Sequence, residues 1–285
     1  MTATLLDGRA LARAMMGEIA AEAAAFGAAH GRPVTIAVVQ VGADPASSWY
    51  VGQIEKSFGR VGMGYRLNRL PETAAAADLA AQLTALNNDP AVDGIIVQLP
   101  LPSHLPAGLV ADTLDPAKDV DGVHPLNAGR LFQGDAEALA PSTPSGGIEI
   151  LHRYSIPIRG RHAVVVGRSS IVGRPLAMML LHEHATVTIA HSRTSDLAAV
   201  TRQADILAVA VGRPGLITPK MVAPGAVVLD FGTNDVGGRL AGDVDPAVAE
   251  VAGYMTPVPG GAGPMTNVML LRNTLRAAQR RLRGD

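Results

Sequence analysis

The sequence predicts an α/β protein of two domains, and three observations predict it. Apolar runs of strand length alternate with helical patterns across residues 9–98. The same alternation resumes at residue 162 with an apolar run that ends in a glycine-flanked turn. Between them, residues 100–147 are crowded with proline and glycine, as expected of turns that frame a binding cleft. A chain of 285 residues suits two modest α/β domains, and 48% hydrophobic residues supply buried parallel sheets and exclude a disordered chain.

The elements follow in order. Residues 9–29 place Leu11, Met15, Ile19 and Ala23 at helical spacing, and Gly31 and Pro33 end that helix. Residues 34–40 form a buried strand, 46–61 a helix opened by Pro45 and Ser47, and 65–70 a short strand. A helix over 74–86 and a strand over 94–98 complete the first unit. In the second, strands are expected at 162–166, 186–191, 206–211 and 226–230, with helices at 172–184 and 195–202. Segment 255–266, MTPVPGGAGPMT, reads as irregular, and 267–283 as a final helix crossing back to the first domain. The expected domains are therefore 1–140 with 267–285, and 141–266.

Composition excludes several classes of function. A net charge of -1 gives no general attraction to nucleic acid or to an anionic membrane. With no cysteine, neither disulfides nor thiolate chemistry contributes. The start, MTATLLDGRALARAMM, is interrupted by Asp7 and Arg9, so neither a signal peptide nor a spanning segment is expected, and a cytoplasmic enzyme is the simplest expectation. The eight histidines show no metal-ligand spacing, and no metal is expected. Asp243 and Asp245, in GDVD, read as turn or cap residues.

The strongest local signal is VVVGRSSIVGRP (164–175). An apolar strand runs into Gly167, and Gly173 opens a helix whose N-terminus suits a pyrophosphate. The middle glycine of the usual G-x-G-x-x-G is absent, so the turn alone is a weak signal. The next strand sharpens it. It ends in His191-Ser192-Arg193-Thr194, with no carboxylate for a ribose 2′-hydroxyl. Arginine and serine there, with Arg168 in the first loop, favour a 2′-phosphate, hence NADP over NAD.

Further segments have no evident structural purpose: Gln98 where a buried strand ends, Asp119 and Asp121 in a turn, and the Pro/Gly loop 256–266. With VGADPASSWYV (41–51), VQLPLP (97–102), KDVDGVHPLNAGRL (118–131), PSTPSGGIEIL (141–151), HSRT (191–194) and ADILAVAVGRP (204–214), they stand in one order along nearly the whole chain. In that order they resemble the methylenetetrahydrofolate dehydrogenase/methenyltetrahydrofolate cyclohydrolase family. The resemblance implies an N-terminal folate-binding domain and a Rossmann-type NADP domain with a cleft between them, in a homodimer. It implies that Tyr50 stacks on the folate, that Gln98 and Asp121 hold its head, and that Leu99, Pro259, Gly260 and Gly261 line the substrate site. Gly167, Arg168, Ser169, Ile171, Val172, Ser192, Arg193 and Thr233 would bind NADP.

The chain departs from the family at one chemical position. The family's helix carries Tyr-x-x-x-Lys, and that lysine is its main acid–base group; counting from Tyr50, the position holds Ile54. A residue four further on returns to within ~40° of the same helix face, whereas Lys56 lies about 200° from Ile54 and Glu55 about 100°. Neither neighbour replaces the lysine. Dehydrogenation needs no proton transfer, whereas ring-opening hydrolysis does. The expectation is an NADP-dependent methylenetetrahydrofolate dehydrogenase with weak or lost cyclohydrolase activity. The alternatives are a fully bifunctional enzyme and a non-catalytic folate- and NADP-binding protein. Ser142, Phe231, Thr233 and Ala262 also depart from the family's usual residues, near the expected contacts, and leave altered cofactor or substrate preference open.

Overall fold

The structure, a computed structural model, describes residues 2–283. In chain order the first half holds β1 (Thr4–Leu5), α1 (Gly8–His30), β2 (Thr35–Val41), α2 (Pro45–Arg60), β3 (Gly64–Leu70), α3 (Ala76–Asn88), β4 (Gly94–Val97), α4 (Leu109–Thr113) and α5 (Pro125–Phe132). The second half holds α6 (Ser142–Arg153), β5 (His162–Val166), α7 (Gly173–His182), β6 (Thr186–Ala190), α8 (Leu197–Thr201), β7 (Ile206–Val209), β8 (Val227–Asp230), β9 (Asn234–Val236), β10 (Arg239–Ala241), β11 (Tyr254–Met255) and α9 (Ala262–Arg283). Among the described residues no helix is long and apolar enough to cross a membrane.

The chain divides into two compact units. One takes 14–130, 137–140 and the chain from Asn267 on; the other takes the chain up to Arg13, 131–136 and 141–266. The expected division placed the first thirteen residues with the first domain. They group instead with the second because β1 pairs in parallel with β11 and Arg9 N donates to Gly260 O.

In the first unit the sheet order is β3-β2-β4, all parallel. β2 is central, and all seven of its residues are buried, which is why TIAVVQV reads as an unbroken apolar run. Ala37, Val39, Ile95 and Val97 pack with Leu79 and Leu83 of α3. Each fully buried leucine there contributes about 2 kcal/mol. Successive strand residues alternate faces, so Gln40 and Gln98, which follow the paired Val39 and Val97, turn to the opposite face. Helix α2 meets that face, where Gln40 Nε2 donates to Ser48 Oγ at 3.0 Å. Lys118 is buried and donates to the carbonyls of Leu86 and Asp89, closing the C-terminal end of α3. Helix α9 is tied in by Asn273, which donates to Val120 O and Ala140 O.

In the second unit six parallel strands run β1-β11-β8-β7-β5-β6. The chain goes from β5 outward to β6, then returns across β5 to β7, so strand order switches at β5. Ligands of such sheets bind at the carboxyl ends beside the switch.

Three stretches differ from expectation. The turn-rich run 100–147 contains α4, α5 and the start of α6. PSTPSGG joins α6 because Pro144 falls in the first helical turn, where no intrahelical acceptor awaits its missing N–H. Likewise α9 begins at Ala262, with Pro264 in its first turn. The hairpin β9–β10 was hidden by its short polar strands; Gly237 and Gly238, both at positive φ, make its turn.

Candidate active site

The first unit collects Tyr50, Gln98, Leu99 and Asp121. Asp44 caps α2, accepting Ser47 N at 2.8 Å, and so sets the first turn that carries Tyr50. Tyr50 is half-buried, and burial followed by the charge of Asp121 pushes its phenol up. Burial, followed by the charge of Asp119, pushes the Asp121 carboxyl up to about 6. Asp119 is buried; its Oδ2 accepts His124 N and Asn127 Nδ2, while Oδ1 has no hydrogen-bond partner. Gln98 donates Nε2 to Leu99 O, and its Oε1 is buried and unpartnered. Leu99 is 50% exposed. The unit therefore offers an aromatic ring, an amide acceptor and a carboxyl close enough to the phenol to act on it. His124 is not a free base: Nδ1 accepts Leu126 N and Nε2 bonds Ala111 O.

Ile54, one turn from Tyr50, is 1% exposed and among the largest fully buried side chains. Glu55 and Lys56 are exposed. The position where the resemblance implies a lysine is thus part of the packed interior.

One candidate has no counterpart among the expected residues: Gln40 is buried with Oε1 unpartnered. Asp119, expected in the turn with Asp121, is buried beside it. A glutamine inside TIAVVQV was a signal of the same kind as Gln98 in VQLPLP.

The second unit builds a cradle at the carboxyl end of β5. Gly167 has φ +128, and a Cβ there would lie 2.2 Å from Ala210 O. A Cβ on Gly173 would lie 2.3 Å from Gly167 O, so α7 starts against the strand end. Both glycines are thus required by close backbone approach. Ser169 Oγ accepts Val172 N and Gly173 N, closing the loop in place of the absent middle glycine. Arg168, Ser169, Ser170 and Ile171 are left exposed along it. At the end of β6, His191 N donates to Thr194 Oγ1 and Arg193 N to His191 Nδ1. That tight turn presents Ser192 and Arg193 to solvent. The donor set fits a dinucleotide carrying a 2′-phosphate: a glycine cradle at a helix start, then serine and arginine where an acid would repel it.

The loop after β8 presents exposed Thr233. Phe231 fills the space beside α6: a Cβ on Gly147 would meet its ring at 2.5 Å. Gly147 is thus the structural counterpart of the unusual phenylalanine. In the loop 256–261, Pro259 is exposed whereas Gly260 and Gly261 are buried. A Cβ on Gly8 would lie 1.9 Å from Gly261 O, so these glycines serve backbone packing as well as any ligand. Nothing in the structure explains Thr233 or Ala262 in place of the usual residues.

Residues 6–121 match the tetrahydrofolate dehydrogenase/cyclohydrolase catalytic domain, and 141–282 match the NAD(P)-binding domain of the same description. A protein of Herpetosiphon aurantiacus named bifunctional protein FolD is 56% identical over 98% of each chain. Among solved structures, the bifunctional FolD of Campylobacter jejuni is 42% identical with a TM-score of 0.95, covering 98% of this chain and 99% of that one. The Trypanosoma brucei methylenetetrahydrofolate dehydrogenase-cyclohydrolase, solved with NADP and an inhibitor, is 37% identical with a TM-score of 0.94 over 99% of each chain.

Proposed function

Because the chain belongs to the tetrahydrofolate dehydrogenase/cyclohydrolase family, we propose that it oxidises 5,10-methylenetetrahydrofolate to 5,10-methenyltetrahydrofolate with NADP, and that it hydrolyses the methenyl product weakly or not at all. The observation that carries the second part is Ile54, fully buried one turn from Tyr50. NADP, when bound, supplies the acceptor for the hydride that leaves the methylene carbon. Everything else is positioning. Tyr50 stacks on the folate, Gln98 Oε1 accepts from its head, and ionised Asp121 accepts from the pterin N–H groups. Gly167, Arg168, Ser169, Ile171, Val172, Ser192, Arg193 and Thr233 hold the dinucleotide, with Arg193 and Ser192 on its 2′-phosphate. The two folate nitrogens stabilise the cation, so the oxidation calls for no protein base. Ring opening by water does, and an isoleucine carries no proton.

A fully bifunctional enzyme is the second reading, favoured by the name of the 56%-identical relative. The unpartnered amide oxygens of Gln40 and Gln98 support it, since they are able to hold a water. A rate of methenyl-tetrahydrofolate hydrolysis comparable with the rate of oxidation decides for it. A homodimer and a cytoplasmic location belong to the same proposal.

The pH dependence follows from Asp121. With its carboxyl raised to about 6, the proton must leave before the group accepts two pterin N–H bonds. KM for the folate is expected to rise roughly tenfold per pH unit below that value. For stability the sign is opposite. The folded carboxyl holds its proton more tightly than the unfolded one, so its contribution falls as pH rises from about 4 toward 6. A pH series of KM checks the first effect, and Asp121→Asn, which cannot ionise, removes the dependence.

A further inference from the structure

Asp230 and Asp243 are buried at the carboxyl edge of the second unit's sheet, and the proposed chemistry uses neither. Asp243 is the centre of four hydrogen bonds. Its Oδ2 accepts the backbone N–H groups of Val211 at 2.7 Å and Gly212 at 2.9 Å. Its Oδ1 accepts Arg213 N at 2.7 Å and Asn234 Nδ2 at 2.9 Å. One carboxylate thus holds three consecutive amides of the loop after β7 and the side chain of Asn234, the first residue of β9, where the loop after β8 ends. Asp230 holds Asp243 in turn: its Oδ1 accepts Gly232 N and Asp243 N, and its Oδ2 accepts Val244 N. Glycines make room for both. A Cβ on Gly232 would lie 2.3 Å from Asp243 N, and one on Gly242 would lie 1.9 Å from Asp230 Oδ2.

The clamped loop leads to the nucleotide cradle through one residue. Ala210 precedes Val211; its N–H donates to Val166 O, and its carbonyl is the atom against which Gly167 lies without room for a Cβ. Fixing Val211–Arg213 therefore fixes the wall behind Gly167, and fixing Asn234 fixes the residue after Thr233. Resting on the NADP reading given above, we propose that Asp243 is a positioning residue for the nucleotide, holding the loops after β7 and β8 in the arrangement that binds it. Asp230 secures Asp243 from behind. Asp245, two residues on, only caps the turn at Pro246–Glu250 by accepting Ala247 N, and it takes no part.

The test compares Asp243→Asn with Asp245→Asn. The amide has the shape of the carboxylate, but its NH2 must face two N–H groups that previously donated to oxygen. NADPH binding is read by its own fluorescence, without folate. Tetrahydrofolate binding is read separately by the emission of Trp49, the sole tryptophan, beside Tyr50 in the other unit. In Asp243→Asn the Kd for NADPH is expected to rise at least about tenfold, with the tetrahydrofolate Kd within about twofold of the parent. Asp245→Asn leaves both unchanged. A folded Asp243→Asn protein that binds NADPH as the parent does overturns the proposal, and so does one that weakens both ligands equally. If Asp243→Asn does not fold, Asn234→Ala removes one donor only; NADPH affinity unchanged in that variant overturns the proposal. A parent protein that binds no NADPH at all overturns the cofactor reading itself, a result distinct from either.

Discussion

Methenyl-tetrahydrofolate mixed with the protein is expected to be hydrolysed at least about 10²-fold more slowly than methylene-tetrahydrofolate is oxidised, because no acid–base group stands at position 54. Ile54→Lys carries the larger information. The site is 1% exposed, so the new ammonium is desolvated and its pKa falls toward neutrality, which suits a general base. The expected gain in hydrolysis is about tenfold or more. The same desolvation costs stability, on the order of 3 kcal/mol for an unpaired buried charge. Thermal unfolding should therefore drop while hydrolysis rises. Ile54→Met keeps volume and apolarity and should change neither by much. Hydrolysis unchanged in a folded Ile54→Lys protein would show that the rest of the hydrolytic site is missing too.

Gly167→Ala is expected to abolish NADP-dependent turnover. Its φ of +128 suits only glycine, and the new methyl would lie 2.2 Å from Ala210 O. Strain of this kind costs on the order of 1–3 kcal/mol, and the loop must also move away from its bound form. Gly173→Ala meets Gly167 O at 2.3 Å and should act alike by driving α7 off the strand end. The check is dinucleotide affinity together with far-UV circular dichroism. Loss of affinity with the helical signal retained is the expected result.

The central strands of both sheets were legible because burial on two faces writes continuous apolar runs such as TIAVVQV and HAVVV. The glycine cradle was legible because close backbone approach tolerates no other residue. Helices α4 and α5 and the first turns of α6 and α9 were not. Pro144 and Pro264 look like helix breakers in sequence, but each stands in a first turn, where proline is tolerated. Pairing of β1 with β11 was also hidden, since two residues carry no periodicity. In the candidate site, residue types single out Gln98, Asp121 and Arg193 as candidates. Asp243 read as a mere turn residue, because four hydrogen bonds from distant loops leave no local pattern. Ile54 draws on both sources: the resemblance marks the position, and the side chain there is 1% exposed.

Oxidation of a folate-bound methylene group with NADP is read by following reduced-nicotinamide absorbance after mixing the protein with 5,10-methylenetetrahydrofolate and either NADP or NAD. Reduction of NADP, with NAD at least about tenfold less effective per kcat/KM because Ser192 and Arg193 lose their phosphate, is the predicted result. No reduction of either dinucleotide, or NAD favoured over NADP, would contradict it.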